Sequence, residues 1–113
     1  MIPPSRGEVW LVDLEPTRGH EQAGKRPCLV VSVDPFNRGP AGLHIILPIT
    51  SKAKGIVSHI EVHAPEGGLT RRSFIKCEDI RSVAGERLSK RLGAVSTRTM
   101  ALAEDALRIL LGL

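Results

Sequence analysis

Aromatic residues are nearly missing from this chain. Trp10, Phe36 and Phe74 are the whole set, and there is no tyrosine. A protein that holds single-stranded nucleic acid by stacking bases presents several exposed aromatics, so stacking is excluded as the main binding device. Cysteine is scarce too. Cys28 and Cys77 are far apart with no Cys-x-x-Cys pair, which fits buried reduced thiols better than a disulfide or a thiolate metal site. No apolar run reaches the roughly 20 residues needed to cross a bilayer. The opening Met-Ile-Pro-Pro-Ser-Arg lacks the apolar stretch of a secretion signal. At 113 residues the expectation is one domain over residues 1–113, cytoplasmic and free of the membrane.

What is present in excess is positive charge. Sixteen Lys and Arg against twelve Asp and Glu leave a net charge of +4, which favours an anionic partner. Much of that excess falls between Arg71 and Arg91, where Arg71, Arg72, Lys76, Arg81, Arg87, Lys90 and Arg91 meet only Glu78, Asp79 and Glu86.

Eleven glycines and eight prolines divide the rest into short apolar runs, as in small β structures. Residues 8–14 alternate, with Trp10, Val12 and Leu14 on one side and Val9, Leu11 and Asp13 on the other. Residues 27–33 and 43–49 are almost continuously apolar, which predicts central strands covered on both faces. Pro48 belongs near the end of the second, because proline cannot donate to a ladder. Shorter strands are expected over 59–62, 73–77 and 80–84. Five or six strands of this length predict a partly closed barrel. The chain closes with Ser96 as an N-cap, apolar residues Met100, Ala103, Leu107, Leu110 and Leu111 at helical spacing, and Gly112 as a helix end. That reads as an amphipathic C-terminal helix packed on the sheet.

The most informative run is Arg6 to Ser32. It reads as two strands joined by a glycine-flanked polar loop, with Arg26 where the loop re-enters the sheet. A guanidinium offers a rigid fork of donors that matches phosphate, and Pro27 restricts Arg26 to extended backbone. Thr50 and Ser51 end an apolar strand, where a hydroxyl can serve either a phosphate or an ordinary turn. His20 is the loop's titratable group near neutral pH. Lys76, Glu78 and Asp79 surround Cys77 at a strand end. Phe36 sits in a loop, where it either stacks on a base or anchors the loop. Gln22, Asn37 and Lys52 are candidates for hydrogen bonding to bases. His59 and His63 are four apart, but on a segment that reads as strand, so no metal site is expected.

The same run resembles the start of the MazF/PemK/Kid family of bacterial toxins. The resemblance rests on Gly7-Glu8-Val9-Trp10, Pro16-Thr17, Gly19-His20-Glu21-Gln22 and Arg26-Pro27, and continues at Leu47-Pro48-Ile49-Thr50-Ser51. It implies a small curved SH3-like barrel of the CcdB/PemK type, mainly β with a C-terminal helix, and a homodimer. It also implies a metal-independent endoribonuclease with no cofactor, acting on single-stranded RNA and held in check by an antitoxin protein. Arg26, Thr50, Glu78 and His20 would be catalytic, with Gln22, Ser51, Lys52, Lys76, Phe36 and Asn37 on RNA. Relatives carry arginine and aspartate where this chain has Lys76 and Glu78. Two rival readings stand beside this one: a CcdB-type gyrase poison, and a basic barrel that binds RNA without cutting it. CcdB-type toxins use a tryptophan near the end of the C-terminal helix, and this chain has none after Trp10.

Overall fold

The computed structural model describes residues 2–14 and 24–113. Seven strands form one sheet among them: β1 Glu8–Asp13, β2 Lys25–Val30, β3 Leu43–Thr50, β4 His59–Val62, β5 Ser73–Lys76, β6 Arg81–Ala84 and β7 Leu88–Ala94. A one-turn helix, α1 Asp34–Asn37, links β2 to β3, and α2 Thr97–Leu111 closes the chain. The order is β4-β5-β3-β2-β1-β7, with β6 also paired to β3, and the pairings in this sheet are antiparallel. The result is a curved, unclosed sheet with a C-terminal helix, in the class the sequence predicts.

Alternation along the central strands splits the core in two. Val9, Leu29, Leu47 and Ile49 point to one face, where Met100 and Ala103 of α2 cover them. Trp10, Val12, Cys28, Val30 and Ile46 point to the other, which the curl of the sheet closes with Val83 and Leu88. Pro48 is buried near the end of β3, two residues before Thr50. One flank of β3 pairs with β6 from Leu43 to Ile46 and with β5 from Ile49 onward, so Pro48 falls in the gap between those pairings. A missing N–H costs least there.

The seventh strand is one the apolar pattern does not show. β7 has a single strand partner, β1, and two register shifts interrupt that pairing. Its Ser89, Lys90 and Arg91 are exposed, so no clean two-residue period survives in Leu-Ser-Lys-Arg-Leu-Gly-Ala. A 3₁₀ turn at Glu66–Gly68 packs directly on this strand. A Cβ on Gly68, where φ is +72°, would lie 2.0 Å from the Leu92 carbonyl oxygen, and one on Gly93 would lie 2.6 Å from the Gly67 carbonyl carbon. The backbones touch because side chains are absent.

Helix α2 begins as expected: the Ser96 hydroxyl accepts from the Thr99 N–H at 3.1 Å. Glu66 adds a second cap, accepting from the Ser96 N–H at 2.9 Å and the Thr99 hydroxyl at 2.6 Å. Gly112 ends the helix at φ +72°. The expectation for the helix face holds as far as Leu107, which is half-buried against the core. Met100 and Ala103 are buried, whereas Leu110 and Leu111 are exposed together with Ile109 and Leu113.

Asn37, expected to reach RNA, is instead 4% exposed and belongs to a buried polar cluster. Its Oδ1 accepts from the Ser32 hydroxyl and faces His44 Nδ1 at 3.1 Å, while Nδ2 donates to the Ser32 carbonyl at 2.9 Å. Both ends of the amide are spent on closing the β2–β3 connection. Burial pushes the His44 imidazole below its ordinary value of 6.5. As pH falls, the unfolded chain therefore takes up this proton first, so the stabilisation is complete above 6.5 and declines below it. The melting temperature is expected to fall from about pH 7 to about pH 5, and His44→Gln to flatten that part of the profile. An equally steep fall in the variant, read by thermal melts across the same range, would assign the dependence to other groups.

Candidate functional site

Strand register brings the key motifs together. Cys28 pairs with Pro48, Leu29 with Leu47 and Val30 with Ile46. Carrying that antiparallel register two residues further sets Arg26 beside Thr50, one inter-strand spacing away, about 4.8 Å. On the far flank Thr50 pairs with Phe74, which brings the start of β5 alongside. Arg-Pro on one strand and Pro-Ile-Thr on the next are thus two halves of one place.

A groove of about 310 Å³ opens there. Arg26, Thr50, Ser51, Thr70, Arg71 and Ser73 supply its polar wall, over Pro27, Ile49 and Leu69. Two guanidinium groups and four hydroxyls face it, with no carboxylate among these lining residues. Such a wall suits a phosphodiester: permanent cations, hydroxyl donors, and an apolar floor that lowers the local dielectric. Thr50 is buried, and its Oγ1 accepts from the Lys52 N–H at 3.2 Å, which leaves the hydroxyl hydrogen to donate elsewhere. Ser73 is committed differently, donating to the Arg71 carbonyl at 2.9 Å and so holding that backbone at the groove.

Of the residues expected from sequence, the structure brings Arg26, Thr50 and Ser51 together, with Lys52 next to them. His20 and Gln22 lie outside the described residues. Phe36 is 36% exposed on α1 and is not among the groove's lining residues. Lys76 pairs with Asp79, Nζ to Oδ2 at 3.6 Å. Arg71, Thr70 and Ser73 were not singled out as site residues, because only the β3–β5 pairing shows that they adjoin Thr50.

Glu78 stands apart from the groove's lining. The Ser58 hydroxyl donates to its Oε1 at 2.7 Å, and His59 Nε2 lies 2.8 Å from Oε2. Partial burial works to raise its pKa. Hydrogen bonds from Ser58, its own backbone N–H and His59 outweigh that and hold the carboxyl below the ordinary range. A carboxylate that already accepts on both oxygens and whose pKa is lowered is a weak base, which counts against Glu78 as general base while leaving it a hydrogen-bond acceptor. The two histidines also serve separate carboxylates, His59 on Glu78 and His63 on Glu61. Among the described residues no group of three or more His, Cys, Asp or Glu is placed to hold a metal ion.

The resemblance extends over the whole chain. Endoribonuclease MazF9 of Mycobacterium tuberculosis is 39% identical, over 96% of each chain. The crystal structure of MazF from Deinococcus radiodurans superposes with a TM-score of 0.87 at 30% identity, covering all of both chains. An endoribonuclease solved in complex with its cognate antitoxin, from a mycobacterial species, gives a TM-score of 0.79 at 26% identity, over 100% of this chain and 97% of that one. The sequence profile of one family matches residues 5–111. The groove has the charge and hydroxyls that the Arg-Pro and Pro-Ile-Thr-Ser motifs lead one to expect, on the fold those relatives share, and the chain belongs to that family: the PemK-like, MazF-like toxins of type II toxin–antitoxin systems.

Proposed function

We propose that this protein is a metal-independent, sequence-specific endoribonuclease toxin that cuts single-stranded RNA. The observation that carries the reading is the meeting of Arg26, Thr50 and Arg71 in one groove with no carboxylate among its described lining residues. RNA brings its own nucleophile. The ribose 2′-oxygen attacks the adjacent phosphorus and loses its proton as the new P–O bond forms. The bond to the 5′-oxygen then breaks, and that oxygen takes a proton. A 2′,3′-cyclic phosphate and a 5′-hydroxyl remain, and no step calls for a metal.

Arg26 stabilises the charge that grows on the non-bridging oxygens, and Thr50 donates its hydroxyl to the same phosphate. Arg71 and Lys52 hold the neighbouring backbone. His20, on the segment leading into β2, is the titratable group to which this reading gives proton transfer. The named relatives that are endoribonucleases support the activity. An antitoxin is the proposed regulator. An acidic, apolar tail would occupy the cationic groove and exclude RNA from it. A homodimer is the proposed assembly, because α2 exposes Ile109, Leu110 and Leu111 over its last turns. Light scattering is expected to give twice the chain mass, and Leu110→Lys to reduce it; a wild-type mass of one chain would refute the dimer.

The test is cleavage of a long mixed-sequence RNA in excess EDTA, with both new ends mapped. Discrete cuts bearing cyclic-phosphate and 5′-hydroxyl ends are expected. Intact RNA from folded protein would overturn the reading and leave gyrase binding, or RNA binding without cleavage, as the alternatives to examine.

A further inference from the structure

We infer that Glu78 reads a base: its carboxylate is an acceptor fork for the Watson–Crick edge of guanine, held in place by Ser58 and His59. The inference deepens the nuclease reading above and rests on it. Two segments converge to build the fork. Glu78 lies in the 3₁₀ turn Cys77–Asp79 that follows β5, His59 opens β4, and Ser58 precedes it. In the β4–β5 ladder His59 stands opposite Lys76, two residues before Glu78.

The division of labour follows from exposure. The His59 side chain is 2% exposed, and that of Glu78 is 33% exposed. His59 cannot reach a substrate, so its contact with Oε2 is a positioning contact. Its other nitrogen, Nδ1, is buried without a hydrogen-bond partner. Ser58 fixes Oε1 in the same way at 2.7 Å. A long, rotamer-rich side chain is thus immobilised before any ligand arrives, which removes an entropic cost of recognition. Ser58 takes one lone pair of Oε1 and His59 one of Oε2, and the carboxylate edge turned away from both is the edge a ligand's donors would meet.

Guanine matches that face. Its N1–H and N2–H donors are adjacent and parallel, so one base can satisfy both oxygens. Cytosine and adenine set a ring-nitrogen lone pair beside their amino group, which would face a carboxylate oxygen, and uracil has a single ring N–H between two carbonyls. The place also fits. Thr50 pairs with Phe74, and Lys76 is two residues further along β5, roughly 7 Å on at the rise of a strand. The fork therefore lies beyond the groove along β5, on the side away from Ser73 and Arg71, where a base flanking the scissile phosphate would come.

Arg26→Ala protein, which retains the fork, is used to select from a random single-stranded RNA library. It is expected to enrich guanine at one position, and replacement of that base by inosine, which lacks the N2 amino group, to weaken binding about tenfold. The double variant with Glu78→Gln loses the preference, binding both bases within about twofold. Ser58→Ala lowers the preference in the same direction, and Ser58→Thr restores it. With Arg26 intact, E78Q redistributes the cuts among sites. An enriched motif that E78Q leaves unaltered overturns the inference. So does a folded E78Q protein that has lost cutting at every site, since that would make Glu78 the base. If wild-type protein cuts nothing while guanine selection still depends on Glu78, the nuclease reading fails and the guanine site stands.

Discussion

Arg26→Ala is expected to reduce the cleavage rate by roughly a thousandfold while the protein stays folded. Two features give the effect its size. The groove is walled by cations and hydroxyls over Pro27, Ile49 and Leu69, so a guanidinium there acts in a medium less screening than water. Charge on the non-bridging oxygens also grows between ground state and transition state, so the lost interaction is worth most at the barrier. The folded state should barely notice. Arg26 is exposed at the entry to β2, and substitutions at such positions usually shift stability by less than about 0.5 kcal/mol. Arg26→Lys separates charge from shape: it keeps the cation and loses the fork, and it should recover only part of the rate. Single-turnover cleavage of one mapped site, beside a thermal melt, checks all three proteins. A variant that melts with the wild type and still cuts within about tenfold of it would remove Arg26 from the chemistry.

Gly68→Ala is expected to cost about 3–5 kcal/mol, enough to leave a domain of this size marginal or unfolded. The figure combines two penalties. An L-residue at φ +72° costs about 1–2 kcal/mol whatever surrounds it. The added methyl would also sit 2.0 Å from the Leu92 carbonyl oxygen, which is backbone and cannot rotate away. Gly42→Ala isolates the first penalty, since its φ is +66° and nothing lies within 4 Å of the added carbon. It should cost only the smaller amount. Denaturant unfolding of both variants measures the difference, and equal losses would show that the contact with β7 relaxes freely.

Legibility from sequence varied with how local each signal was. Residues 8–14 alternate because β1 has a different apolar cluster on each face, and that pattern gave the right side to Trp10, Val12 and Leu14. The N-cap at Ser96 was equally legible, because a cap involves only neighbours. β7 was not, since its place is set by β1 and by the glycine contact with Gly68. The terminal leucines show the opposite failure: the helical spacing is real, but packing on the core stops after Leu107, and Leu110 and Leu111 are exposed. Asn37 reads as a loop donor from its neighbours alone, because the partners that bury it, Ser32 and His44, lie on either side of the connection. At the groove, Arg26, Thr50 and Ser51 were named from family motifs. Their adjacency is a matter of register, which no single strand carries.

The change of partner along β3 separates two kinds of inheritance. The β4–β5 pair is joined to the rest of the sheet through two residue pairs, Ile49 with Ile75 and Thr50 with Phe74. Arg26 and the larger part of the core lie on the other side of that seam. Exposed positions on the β4–β5 side can change with little strain passed back to the strands that hold the arginine, while Val62, Ile75 and Cys77 stay tied to Val9, Leu29 and Leu47 through the shared core. A scaffold divided in this way lets the surface on one side of the seam vary while the strands on the other side keep their register.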